Sequence, residues 1–520
     1  MSEFFLELFS EEIPSNLQKN LRENLLKSFN EFFLEKSLKF KKNSSYSTPN
    51  RLLILFEGVE KKIVLKSEEI KGPSTKSPDA ALEGFARSNG VSKKELFIKK
   101  TDKGEFYFYK TRSKKLDTHT LLEEAIPQIL NKIQWKKSMK WSNYELFWGR
   151  PLKSILSIFD KKKLNFKFHH FISSNSTFVD KEFEEKKKLF SDFKSYKNFF
   201  KKMDILIDHS ERKDLIEKKF DIILKKRNIN IDSNPKLLQE VVDLTDQPNV
   251  IVCEFDKKFL NIPKEILILT MQHHQKYFPT FDKKGNITNQ FLVVANNKDK
   301  KGLIKLGNER VVEARLSDAE FFWQKDKAQN MVKKISDLKL MNYFKGLGNY
   351  FDKAQRMRKL GAIISDELLI SKEKVELSAS ISKVDLLSEL VGEFPELQGI
   401  MGGYFANVQG FDKDLSIAVS EQYLPVGSGT KIPKKPYSIA LSLADKIDSL
   451  VGFFGVNQKP TSSKDPFALR RLALGIVRII IENKKDLKIR DLINYSSSLY
   501  QDQGFKFENK SLQKELLRSE

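Results

Sequence analysis

The chain has 520 residues, 92 Lys and Arg against 69 Asp and Glu, a formal net charge of +23 and a single cysteine. That length allows about three or four compact domains and excludes a peptide hormone or a disulfide scaffold; Cys253 alone can form neither an intramolecular disulfide nor a cysteine-based zinc cluster, which points to a reducing, cytoplasmic compartment. With Arg478 interrupting its longest apolar stretch, 472–481, and with the acidic opening MSEFFLELFSEE, the sequence predicts neither a membrane span nor a targeting segment.

Residues 3–9 are β-rich but alternate poorly. Pro14 marks the first turn of a helix that carries Leu17, Leu21, Leu25, Phe29 and the Phe32, Phe33 pair at helical spacing. A strand over 51–56 completes a β-α-β start, an α/β module of residues 1–60. The turn-rich KGPSTKSP, a short helix over 80–88 and an aromatic strand over 105–110 bounded by Gly104 read as α+β. The lysine-rich stretch 181–235, with KEFEEKKKLF and ERKDLIEKKFDIILKKR, is predicted mostly helical, either as a solvated arm or as an RNA-facing one. Strands return at 250–254 and 290–296 around a helix that starts near Pro263. From residue 305 onward the pattern is helical, broken by turn clusters at 345–349, 402–403 and 425–429. The fold class is an α+β N-terminal part followed by an all-α part, with no internal repeat at a fixed period.

The charge has two readings. Of the basic residues 76 are Lys and 16 Arg, alongside 41 Phe, a bias that AT-rich codons produce without selection for binding. A polyanionic partner would favour the same surplus, because each neutralised phosphate releases counterions. The distribution separates these better than the total: residues 101–170 hold 15 Lys and Arg against 7 Asp and Glu, net +8, whereas 361–420 hold 4 against 10, net −6. At least one basic face is expected. There is no phosphate loop of the GxxxxGK[ST] type, no GxGxxG after a strand and no HExxH or HxxEH pair, so no nucleotide chemistry is evident. KKSMK at 136–140 echoes a synthetase KMSKS loop in the wrong order and without a HIGH partner, and is discounted.

Three segments invite a closer reading. In MQHHQKYFP, His273 and His274 are adjacent and face different ways, which is poor geometry for joint chelation; Tyr277 and Phe278 are assigned to the core and Lys276 to the surface. In GNERVVEARLSDAEFFWQKD, Val311, Ala314, Ala319 and Phe322 trace an apolar helix face. Glu309 with Glu313 and Arg315 with Asp318 fall about one turn apart, and the carboxylates are given a structural role rather than acid/base work. In SKDPFALRR, Pro466 opens a helix that Ser463 or Asp465 caps, with Leu469, Leu472 and Ile476 buried; Arg470 and Arg471 are either structural ion-pair partners or phosphate contacts.

Taken together, FLELFSEEIP, TPNRLLILFEGV, LEGFARSNGVS, KSMKW, GRPL, LLQEVVDLTDQPNVIVCEFDKKFLNIPKEIL, MQHHQKYFPTFDKKGNITNQFLVVANN, GNERVVEARLSDAEFFWQKDK, SKVDLLSELVGEFPELQGIMGGYFA, ADKIDSLVGFF and SKDPFALRRLALGIVRIIIE resemble the β subunit of the bacterial heterotetrameric, class II glycyl-tRNA synthetase, in that family's order and over nearly the whole chain. The resemblance implies a ligase subunit in an assembly of two α and two β chains. The α subunit would hold the aminoacylation site, with ATP and Mg as substrates of the assembly, while this chain recognises and positions tRNA(Gly). It implies no catalytic residue and no metal site here. It implies tRNA-binding candidates at Lys137, Lys140, Arg150, Lys276, Arg310, Arg315, Lys464, Arg470 and Arg471.

The domains it implies are residues 1–60, an α+β tRNA-binding body over 61–325 with a helical insertion near 181–235, a degenerate HD-type helical domain over 326–460, and the start of a DALR-type anticodon-binding helical domain over 461–520. An active HD site needs an H…HD…D set. The histidines here are His119, His169, His170, His209, His273 and His274, and where His-Asp is required the chain has Lys383-Val384-Asp385, with Asp445 and Asp448 lacking imidazole partners. Family members continue past the DALR motif, so this chain is read as a fragment or a shortened subunit. The rival readings are a metal-dependent HD phosphohydrolase and an HD-derived RNA-binding protein without synthetase activity.

Overall fold

In the computed structural model, which describes residues 2–65, 69–102, 104–111, 114–179, 186–462 and 464–507, the poor alternation of residues 3–9 has a simple cause. The strand Glu3–Ser10 is the middle member of a five-stranded antiparallel sheet ordered Lys162–Lys163, Leu152–Phe159, Glu3–Ser10, Arg51–Glu57, Lys42–Thr48, and both faces of that sheet are covered. A strand buried on both sides has no solvent face on which to place polar residues. On one face Phe4, Leu6, Ile54 and Phe56 meet Leu21, Leu25, Phe29 and Phe33 of the helix Ser15–Glu35, with the Phe33 and Phe56 rings stacked at 4.5 Å. On the other, Phe5, Leu53 and Ile158 pack under Phe193, Tyr196 and Phe200 of the helix Phe193–Lys202.

The one charge in the strand interior, Glu7, faces this second layer. Its carboxylate lies 2.9 Å from the Arg51 guanidinium and accepts the Tyr196 hydroxyl at 2.8 Å, and Arg51 sits between the rings of Phe9 and Phe200. Burial pushes the Glu7 carboxyl up against the pull of Arg51.

The stretch 186–235 is not a solvated arm. Within KEFEEKKKLF, Lys187–Leu189 is a strand, and residues 181–185 lie outside the described residues. The helix Phe193–Lys202 is part of the core, and the helix His209–Arg227 is anchored by Arg212, fully buried, which donates to the carbonyls of Ser47, Leu206, Ile207 and Val242. That helix ends at Asn228, whose left-handed conformation (φ 57°) closes its last turn. A second sheet, ordered Asn230–Ile231, Phe278–Phe281, Ile287–Ala295, Asn249–Glu254, packs Phe278 and Leu292 on Ile216, Phe220 and Val241. The helix over 80–88 and the strand over 105–110 are present as Asp79–Ser88 and Gly104–Lys110.

The chain divides into two compact units. The first takes the described residues up to Cys253 with Lys276–Asn286 and Phe291–Leu306; the second takes Glu254–Gln275, Ile287–Gln290 and the described residues from Gly307. The second unit is helical. Its axis is Pro436–Gly455, buried at every position from Ser438 to Gly455, against which Tyr350–Glu367, Lys413–Glu421 and Leu469–Glu482 pack. Gly402 and Gly403 do not form a turn. They lie inside the helix Ile400–Val408, where a Cβ on Gly403 would stand 2.6 Å from Ser420 Cβ and 2.7 Å from the Ser416 carbonyl oxygen, so the glycine exists for close helix approach.

Candidate nucleic-acid interface

Three of the predicted contacts, Lys137, Lys140 and Arg150, fall on one aromatic hairpin of the first unit. Met139 and Trp148 exchange backbone hydrogen bonds of 2.8 and 3.1 Å, which places the Lys140 ammonium 4.7 Å over the Phe147 ring. Trp135 underlies the hairpin, 4.9 Å from Trp148, and a Cβ on Gly149 would stand 2.0 Å from the Trp135 ring. Arg150 braces the base by donating to the carbonyls of Glu12 and Gly149 at 3.2 and 3.1 Å. Lys136, Lys137 and Lys140 are exposed. In the same hairpin the Tyr144 ring stacks on that of His170 at 3.5 Å and 7°, Phe171 lies 3.9 Å from His170 with its plane tilted by 42°, and Trp141 meets both stacked rings edge-on at 6.3 Å. Burial pushes the His170 imidazole below its ordinary value, with His169 adding to the effect, which disfavours the protonated ring.

The other candidates are dispersed. Lys276, in the first unit, is half-buried and lies 3.1 Å from Glu240. The MQHHQKYFP segment divides between the units: Tyr277 and Phe278 are buried in the first, while in the second His273 lies 3.5 Å from Glu396 and His274 meets the Phe394 ring. Arg310 and Arg315 are exposed on the helix Leu303–Lys327. Its buried stripe is Val312, Leu316, Ala319 and Trp323 rather than the one through Val311, Ala314 and Phe322. Two apolar stripes run one residue apart, and packing of Trp323 on Phe405 selects between them. Glu309 accepts the Glu254 backbone N–H, in keeping with a structural role.

Pro466 precedes the helix Leu469–Glu482 instead of opening it. Asp465 still caps it, its two carboxylate oxygens accepting the N–H groups of Leu469 and Arg470 at 2.8 and 3.0 Å; Ser463 lies outside the described residues. Leu469 and Ile476 are buried and Leu472 half-buried. Arg470 and Arg471 are exposed and donate to the carbonyls of Thr461 (2.6 Å) and Val426 (3.4 Å), and Lys464 is exposed in the adjoining turn.

Asp445 and Asp448, which the sequence reading left without imidazole partners, are buried in the second unit. Asp445 lies 2.8 Å from the Lys383 ammonium and 3.2 Å from that of Lys353, which also reaches Asp448 at 3.2 Å. Arg356 closes on Asp448 at 2.7 Å and donates to the Tyr500 hydroxyl. Burial opposes ionisation of both aspartates; the Lys353 and Lys383 ammoniums outweigh it at Asp445, as Arg356 and Lys353 do at Asp448, and hold both carboxyls below the usual range. Asp385 accepts the backbone N–H groups of Gly399 and Gly402, but burial dominates and pushes it up to about 6. Burial pulls Lys446, beside Asp445, down to about 8. Ammonium and guanidinium groups thus occupy the space next to the aspartates, a donor set that fits no cation. Among the described residues no three His, Cys, Asp or Glu stand together as a metal site requires. Nor is any helix among them long and apolar enough to cross a membrane.

Residues 4–518 match the sequence profile of the glycyl-tRNA synthetase beta subunit. The glycine--tRNA ligase beta subunit of Rickettsia felis is 38% identical over 503 residues, 96% of this chain and 75% of that protein; the one of Rickettsia conorii is 39% identical over 513 residues, 98% and 76%. The chain belongs to the glycyl-tRNA synthetase beta subunit family. It is a subunit of an aminoacyl-tRNA synthetase. Within this member of the family, sequence reasoning passed over Lys353, Arg356 and Tyr500, which hold the aspartates, and the Tyr144–His170 stack. The available signals were the charges Asp445, Lys446 and Asp448 inside an otherwise apolar helix, and the alternation of aromatics with lysines over 135–148.

Proposed function

We propose that this chain binds and positions tRNA(Gly) for a separate α subunit, which attaches glycine at the expense of ATP, in a cytoplasmic assembly of two α and two β chains. The observation that carries the reading is the family match over residues 4–518. The exposed cations Lys137, Lys140, Arg310, Arg315, Lys464, Arg470 and Arg471 supply phosphate contacts that set register; Arg150 braces the hairpin that carries Lys137 and Lys140, and Lys276 adds a half-buried charge beside Glu240. The helical unit serves as a metal-free descendant of an HD scaffold: the Lys383-Val384-Asp385 ammonium and the Lys353 ammonium neutralise the aspartates that a hydrolase would give to metal. Leu469–Glu482 opens a DALR-type anticodon-binding segment. ATP and Mg act at the α subunit, and this chain holds neither. The test is to assay the purified chain for tRNA(Gly) binding and for glycine-dependent ATP–pyrophosphate exchange. Binding without exchange is expected; exchange by the chain alone would refute the reading.

A further inference from the structure

In the 135–150 hairpin Tyr144 is 41% and Phe147 58% exposed, whereas Trp148 and Phe168 are buried and pack at 5.7 Å. Tyr144 stacks on His170 at 3.5 Å and 7°, Phe171 meets His170 at 3.9 Å with its plane tilted by 42°, and Trp141 meets both stacked rings edge-on. Among the described residues, the rings that meet Tyr144 are His170 and Trp141, and the side chain is exposed enough to receive another planar group. The same hairpin carries the exposed cations Lys136, Lys137 and Lys140 against one acid, Glu145.

We infer that Tyr144, pre-oriented by His170 and Trp141, is a stacking platform for an unpaired nucleobase of RNA, with Lys137 and Lys140 taking the flanking phosphates. Every base presents a π face, so such a platform gives affinity without sequence preference, while the lysines track the backbone. The charge surplus favours RNA over a protein partner, whose docking on an aromatic patch does not need a cationic rim. A continuous paired stem does not fit, because its bases are stacked on one another and offer the ring no free π face. The inference rests on the tRNA-binding reading above and deepens it by naming which chemical feature of the RNA this surface takes.

The test measures binding of the full chain to tRNA(Gly) and, separately, to a short unstructured oligoribonucleotide across a salt series. Tyr144→Ala should weaken both by roughly ten-fold with an unchanged salt slope and melting temperature, whereas Tyr144→Phe, which keeps the ring, should bind as wild type. Lys137→Ala with Lys140→Ala should instead flatten the salt slope. The inference is overturned if Tyr144→Ala binds both RNAs as wild type, if Tyr144→Phe is as weak as Tyr144→Ala, or if Tyr144→Ala loses α-subunit capture while RNA binding is intact. Wild-type binding to the oligoribonucleotide but not to tRNA(Gly) would remove the wider reading and leave the platform standing; binding to neither removes both.

Discussion

Replacing Asp445 by Asn keeps the side chain's shape and removes the anion that the Lys383 and Lys353 ammoniums share at 2.8 and 3.2 Å. Deleting one partner of a buried pair costs about 3–5 kcal/mol, because the survivor stays buried and unneutralised. Here Lys353 keeps Asp448 at 3.2 Å, and Lys383 keeps the Gln422 and Tyr423 oxygens at 2.7 and 2.9 Å. Those remaining contacts moderate a double loss, and we expect about 4 kcal/mol at pH 7. For a unit of this size that is roughly 8–16 °C in melting temperature by calorimetry of the full chain.

The pH dependence gives a sharper test. In the wild type, Asp445 titrates below its unfolded value of 3.8, so its contribution is present above that pH and lost as the pH falls through the folded value. In Asp445→Asn the buried lysines lose their main anion, and Lys383, already lowered by burial, and Lys446, already at about 8, fall further from 10.5. The folded variant then binds fewer protons than the unfolded chain over that window, so its stability rises with pH. Its deficit relative to wild type should narrow between pH 7 and 9. A deficit below about 1 kcal/mol, the level of an exposed pair, or one that widens as pH rises, would refute the reasoning.

Other consequences follow from the same structure. Arg470→Ala with Arg471→Ala should weaken tRNA binding and reduce its salt slope by about two, with the melting temperature unchanged; a fall in melting temperature would make their carbonyl contacts structural braces instead. Gly403→Ala should cost about 1–3 kcal/mol, because its Cβ would meet the Ser416 carbonyl oxygen at 2.7 Å, while Gly392→Ala, with no atom within 4 Å, serves as a control that does not destabilise in a urea titration. Asp385, raised to about 6 from 3.8, binds a proton in the folded state that the unfolded chain lacks, so stability falls as pH rises through that window; Asp385→Asn should flatten that slope in melts between pH 4 and 6.

The long amphipathic helix Ser15–Glu35 was legible because Leu21, Leu25, Phe29 and Phe33 repeat every fourth residue on one buried face. The strand Lys42–Thr48 was not, since KNSSYST at a sheet edge has no hydrophobic run to announce it. Periodicity found the helix Leu303–Lys327 but could not choose between stripes one residue apart; only the partner ring of Phe405 decides. The aspartates of the second unit were visible as charges in an apolar helix, yet their cations come from residues 353, 356 and 383, up to 95 positions away, and no local pattern links them. The Tyr144–His170 stack is hidden for the same reason: a helix or strand period relates neighbours, and these rings meet only through the tertiary fold.

The central claim is that this chain carries tRNA recognition and not the aminoacylation chemistry. The direct measurement is charging of tRNA(Gly) with labelled glycine by a purified α subunit, with and without this chain. The account predicts glycyl-tRNA only when both are present and none from this chain alone. Charging by the α subunit alone at the full rate, or by this chain without it, would contradict the account.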